Sequence, residues 1–334
     1  MRGFASGKLS RFPEQSPRMR PQRQRSALFL LATSALYVAL LLYIDRGSGI
    51  LARLAELGGP LLACVALVLC SFMLRYQRWH LALRAQGHTD IQWRKGLQAY
   101  LAGFAFTVSP GKAGELLRIR YFGRMAVPPS TVLGTFIYER GQDLAILTVL
   151  GMAAAALVPV FGTLAGLVLA ALAVLCLASR WPRLRALLSS LAARMPGTRP
   201  RQLAHFLVDG LSQAGPLLQP RVLLPGLVLG TLAWLLSAAA FAGLCLAMGL
   251  PLAWQHALGI YPLAMLAGAA SFVPGGVGTT EAAIVLMLAA LGAPLDVALT
   301  IAIGIRLATL WLAIAVGMLA MFGLELQASR NDTH

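Results

Sequence analysis

Six ionisable residues stand in stretches of otherwise apolar side chains: Glu115, Glu139, Arg140, Asp143, Glu281 and Arg306. Charges in hydrocarbon are costly, so they turn inward and mark functional sites by default. A guanidinium grips phosphate through two parallel hydrogen bonds, which makes Arg140 and Arg306 candidate anion ligands. Arg140 and Asp143 are three residues apart and share one helix face. For Glu139 and Asp143 the alternative is a buried ion pair that fixes helix register.

Two Pro/Gly breaks flank these charges. The first is Pro110, Gly111, Lys112, Gly114 and Glu115; the second is Pro274, Gly275, Gly276, Gly278 and Glu281. A helix that restarts after such a break points free N–H groups and a positive dipole end at the gap, which favours an anion. Glycine allows a head group to approach the backbone, and Lys112 adds a full charge. Close helix packing is the alternative use of the glycines. Neither break is a P-loop or a dinucleotide fingerprint, since no strand precedes it and no Gly-Lys-Ser/Thr follows. Glu115 precedes Arg140 by 25 residues, and Glu281 precedes Arg306 by the same 25. The equal spacing suggests an internal repeat. Interrupted hydrophobic segments at matching places in two halves point to a transporter's binding site.

The elements that carry these residues are read from hydropathy. The chain has 334 residues, 58% hydrophobic and 12% charged, about half the charge of a soluble domain. Ala27–Ile44, Leu57–Leu74 and Leu144–Ser179 carry no formal charge, and neither does Val222–Thr280. A span needs about 20 apolar residues, and without strict alternation these runs are helices rather than barrel strands. The expected fold is an all-α polytopic membrane protein. Its spans fall near 27–44, 57–74, 130–157, 161–178, 222–248 and 295–323. Residues 96–125 and 256–293 are too short on each side of their breaks to cross, and are predicted as two re-entrant helical hairpins. The halves 27–158 and 161–323 then form an inverted repeat.

Basic residues set the orientation. Residues 1–26 are predicted as a disordered basic cytoplasmic tail, and 324–334 as a short cytoplasmic tail. Arg75, Arg78, Arg84, Arg94 and Lys95 are expected inside, with Trp79 and Trp93 on an interfacial amphipathic helix. The segment 179–221, with seven Arg and one Asp, is expected as a cytoplasmic loop that touches anionic lipid. The net charge of +16 therefore reflects membrane orientation and not nucleic-acid binding, for which no motif is present. Cys64, Cys70, Cys176 and Cys245 lie in apolar runs as packing residues, and the histidines are scattered, so neither metal nor cofactor is expected.

Three segments, "SPGKAGELLRIRYF", "YERGQDL" and "FVPGGVGTTEAA", resemble the membrane region of the lysylphosphatidylglycerol synthase/flippase family, over roughly residues 27–323. Pro110, Gly111, Gly114 and Glu115 match its first motif, Glu139, Arg140 and Asp143 its second, and Pro274, Gly275, Gly276, Gly278 and Glu281 its third. Thr279-Thr280 replaces the family's more usual hydrophobic-basic pair. The resemblance implies a flippase-like domain of the bacterial inner membrane that moves a phospholipid or lipid-linked head group. The chain ends at His334 without room for the family's soluble aminoacyl-transferase domain, so lipid aminoacylation is not expected. Two alternatives differ in kind: a lipid-modifying membrane enzyme, for which no nucleophile set is seen, and a non-catalytic partner of a membrane lipid synthase or glycosyltransferase.

Overall fold

A computed structural model describes residues 49–331, within a compact unit that begins at Ser48. The first expected span, 27–44, and the basic tail before it lie outside the described residues. So do residues 332–334. Every regular element among the described residues is helical.

Helix α1 (Ile50–Glu56) leads into α2 (Gly58–Ala85). α3 (Trp93–Ala102) tightens into a 3₁₀ turn at Gly103–Phe106; the chain breaks at 107–109 and resumes as a 3₁₀ segment at Pro110–Leu117 before α4 (Arg118–Gly123). α5 (Pro129–Gly151), α6 (Phe161–Arg180), α7 (Pro182–Ala193) and α8 (Thr198–Ala214) follow. α9 (Pro220–Ala247) leads to α10 (Trp254–Ala270), a 3₁₀ turn at Pro274–Gly276, and α11 (Thr279–Ala290). α12 (Leu295–Arg306) passes through a π turn (Leu307–Trp311) into α13 (Leu312–Asn331). Proline opens α5, α7 and α9, where its missing N–H costs nothing.

Five helical stretches among the described residues are long and apolar enough to cross a membrane: Gly58–Ala85, Pro129–Leu157, Phe161–Arg180, Pro220–Ala247 and Leu295–Arg330. Four expectations change. The helix that begins near 57 does not stop at 74 but runs to Ala85. Arg75 and Arg78 are therefore one and four residues further along the same helix, and both are buried. Trp79 is buried in the core rather than interfacial, while Trp93 is exposed. The segment 179–221 is not a loop, since α7 and α8 fold back on each other within it. Residues 324–331, expected as a tail, continue α13.

α2 and α9 are the most extensively packed pair, with the Cys64 Sγ donating to Ala240 O at 3.2 Å. Pro225 cannot donate within α9. That part of the helix is held from α5, where Tyr138 Oη donates to Val222 O and Gln142 Nε2 to Leu223 O. An aromatic wall of Phe72, Tyr76, Trp79, Tyr100, Phe104 and Phe122 joins α2 to the first broken element. The two breaks touch: a Cβ on Gly275 would stand 3.3 Å from Val108 Cα. Gly275 has φ 65, a conformation that any other residue adopts only under strain.

Gly317 of α13 seats directly on the backbone of Phe104 and Ala105. Gly317→Leu should therefore destabilise the protein by about 1–3 kcal/mol, the usual cost of overpacking. Gly323→Leu, with nothing within 4 Å of the added Cβ, should leave the thermal midpoint in detergent unchanged. Equal midpoints for the two variants would mean that this seat is not tight.

Candidate functional site

Because α2 runs on past residue 74, Arg75 and Arg78 face α5 at the level of Glu139 and Asp143. Glu139 is 1% exposed. Its Oε1 accepts from Tyr100 Oη at 2.6 Å and from Arg78 Nη2 at 3.0 Å. Its Oε2 accepts from Arg118 Nη1 at 3.3 Å and lies 3.3 Å from Arg140 Nη2. One turn on, Asp143 Oδ1 accepts from Arg78 Nη2 at 2.9 Å and Trp234 Nε1 at 3.2 Å. Asp143 Oδ2 lies 3.1 Å from Arg140 Nη2 and 3.4 Å from Arg75 Nη1. Glu115 accepts from Thr107 Oγ1 at 2.9 Å across the first break, and its Oε2 is 3.2 Å from Arg118 Nη2. Arg118 is fully buried, with its guanidinium carbon 3.8 Å from the centre of the Tyr100 ring.

The second break has a simpler arrangement. Glu281, three residues into the α11 start, accepts the Gly278 N–H at 2.8 Å through Oε2 and Arg306 Nε at 2.9 Å through Oε1. Arg306 Nη2 donates to Gly275 O at 2.6 Å. Arg306 thus holds the turn in place, its donors engaged by Glu281 and the Gly275 carbonyl. Glu281 and Arg306, 25 residues apart, are thus an ion pair. For Arg140, however, Glu115 stands at 3.9 Å, farther than Asp143 or Glu139. The residue three along the same helix is within reach before any residue of another segment.

Packing accounts for several of the motif positions. Pro110 and Pro274 each open a 3₁₀ turn, and Gly111 follows in the first. A side chain on Gly114 would meet the Phe106 backbone and Ser109 Oγ, whose oxygen accepts the Gly114 N–H at 2.5 Å. One on Gly276 would meet Thr280. Gly278, with φ 82, is the N-cap of α11.

A cavity lies between the breaks, lined by Arg75, Lys112, Glu115, Arg140, Gly275 and Arg306 among others. A second shares Lys112, Arg140, Trp234, Met265 and Gly275 with it, and is lined also by the aliphatic Leu144, Leu147, Val168 and Leu266. Lys112 stands where the two meet. It has φ 56, a conformation that a non-glycine residue adopts at a cost and that accumulates at functional sites. Among the described residues it makes no ion pair.

Arg75, Arg78, Tyr100, Arg118 and Trp234 belong to the constellation and were not singled out from the sequence. Arg75 and Arg78 had a signal: they follow the apolar run 57–74 with no Gly or Pro before Gly87, so the helix has no reason to end between them.

A family model described as the lysylphosphatidylglycerol synthase TM region matches residues 27–317. No curated relative matches the chain. The chain therefore belongs to the family of lysylphosphatidylglycerol synthase transmembrane regions, and its long apolar helices make it an integral membrane protein.

Removing one partner of a buried ion pair costs about 3–5 kcal/mol. Glu139 serves three arginines and a tyrosine at 1% exposure, whereas the Glu281 side chain is 13% exposed and serves one arginine. Glu139→Gln should therefore lower the yield of folded protein and the thermal midpoint more than Glu281→Gln does. The reverse order in detergent melting would show that the first cluster is not the main electrostatic tie.

Proposed function

We propose that this chain moves a lipid with an anionic head group across the bilayer of a bacterial inner membrane, with the head group in the cavity between the two breaks. The observation that carries this reading is the lining of that cavity: Arg75, Lys112, Arg140 and Arg306 against one carboxylate, Glu115. Among the described residues, Lys112 is the one of these cations without an ion pair. It can meet a phosphate without first giving up a partner, whereas Arg140 would have to release a carboxylate. The adjoining cavity supports a lipid cargo, because its lining combines Lys112, Arg140 and Asp143 with aliphatic Leu144, Leu147, Val168 and Leu266. Charges of the lumen would thus replace head-group hydration while the acyl chain stays among apolar side chains.

In this reading the broken elements 96–125 and 256–293 are re-entrant hairpins. With 27–44 as a sixth span, the halves 27–158 and 161–323 are an inverted repeat with both termini cytoplasmic. Supporting this, α2 and α9 occupy matching places and pack on each other, and the two breaks meet at Val108 and Gly275. Irregular backbone at membrane depth is tolerated where it is enclosed by protein or lines a cavity, as these breaks do. Membrane partnership with a synthase would not require a lumen of this charge.

Reconstitution into vesicles with fluorescent lipids tests the reading. The wild-type protein should carry anionic lipid between leaflets. Lys112→Glu cancels surplus charge without breaking an ion pair, and should reduce that transfer by at least about tenfold, the effect expected from losing one charge-assisted contact. The variant should elute and melt like the wild type. Transfer by Lys112→Glu at the wild-type rate, or no transfer by the wild-type protein, would exclude the proposal.

A further inference from the structure

We propose that the head group is a phosphomonoester at the end of a lipid, carrying two negative charges, rather than the singly charged phosphodiester of a common glycerophospholipid. The inference rests on the lipid-transfer reading above and narrows its substrate class.

Charge balance sets the head group. Arg306 and Glu281 neutralise each other at the second break. The first cluster holds five cations, Arg75, Arg78, Lys112, Arg118 and Arg140, against three carboxylates, Glu115, Glu139 and Asp143. Two positive charges remain, and no carboxylate among the described residues offsets them. Buried charge without a counter-charge is strongly unfavourable, so the occupied cavity should gather two negative charges. A phosphodiester brings one, and a phosphomonoester near neutral pH brings about two.

The surplus also sits where a ligand can use it. Arg78 and Arg118 are sealed behind Glu139, with side chains 1% and 0% exposed. Arg75, Lys112 and Arg140 line the cavity. Arg75 has only the 3.4 Å contact to Asp143, and its guanidinium lies 4.3 Å from the Trp234 ring centre. Among the described residues Lys112 has no ion pair, and Arg140 Nε is buried without a hydrogen-bond partner. Three cations around one space match the three terminal oxygens of a monoester. The aliphatic lining at Leu144, Leu147, Val168 and Leu266 gives a hydrocarbon chain somewhere to go, which a free phosphate ester would leave empty.

The test is binding to the full-length protein in detergent, read by thermal-midpoint shift. The probes are short-chain phosphatidic acid as the monoester lipid, phosphatidylglycerol as the diester, and glycerol 3-phosphate as the soluble monoester. Wild type should bind phosphatidic acid at least about tenfold more tightly than phosphatidylglycerol, the scale of one charge-assisted contact, and glycerol 3-phosphate more weakly than either lipid. Lys112→Gln lowers the surplus to one and should reverse the preference between the two lipids. Equal binding of the two lipids by the wild type, or an unchanged preference in Lys112→Gln, overturns the inference. Glycerol 3-phosphate binding as tightly as phosphatidic acid overturns its lipid part. In vesicles, faster transfer of phosphatidylglycerol than of phosphatidic acid overturns the inference and leaves lipid transfer standing. Preferential binding of phosphatidic acid without transfer leaves the head-group assignment standing and removes the transport reading.

Discussion

Glu139 and Asp143, one turn apart on α5, bring together charges that arrive on separate segments of the chain. Arg75 and Arg78 come from α2, Arg118 from the limb after the first break, Arg140 from α5 itself, with Tyr100 of α3 and Trp234 of α9 completing the shell. An arginine buried among apolar side chains must find its counter-charge locally. None of these segments can shift along α5 without stranding one. The network therefore sets helix register as well as polarity, which is a use that buried ion pairs serve better than they serve net stability. The alternative that Glu139 and Asp143 fix register and the reading that they shape an anion site are compatible here, because the carboxylate faces point to the arginines while Arg140 also reaches the cavity.

The two breaks are built on different principles. The first is held by side chains on both limbs, with Thr107 donating to Glu115 across it and Gly114 tucked against Phe106. The second is held by one arginine, which binds a carbonyl of the turn and the carboxylate that caps the following helix. Directly after Arg306 the helix widens into a π turn, Leu307–Trp311. Such turns recur at functional positions because they re-aim side chains on a continuing helix. The result is an asymmetric lumen: surplus positive charge belongs to the first break, while the second contributes a neutralised pair and a backbone wall.

This asymmetry bears on how the cavity sees a ligand. Arg306 lines it but has its donors engaged, whereas Lys112 lines it with none engaged by an ion pair. Lysine in place of glycine at a left-handed position is a conformational cost.

Much of the architecture was legible in the linear chain. Apolar runs of span length, the Pro/Gly breaks near 110 and 274, the inward-facing charges and the pairing of Arg306 with Glu281 all follow from local composition and spacing. They follow because hydrocarbon penalises every exposed charge and every unsatisfied backbone group, so sequence alone marks where the exceptions sit. What it could not assign was which arginines belong to loops and which to the interior. Arg75 and Arg78 satisfy the positive-inside pattern as well as any cytoplasmic residue, and only the continuation of α2 beside α5 turns them toward Glu139 and Asp143. The same holds for Arg140, whose nearest carboxylate is Asp143 and not the equally spaced Glu115. Charge interactions fall steeply with distance, so partners are chosen by the last few ångströms of helix packing, which tertiary structure alone decides.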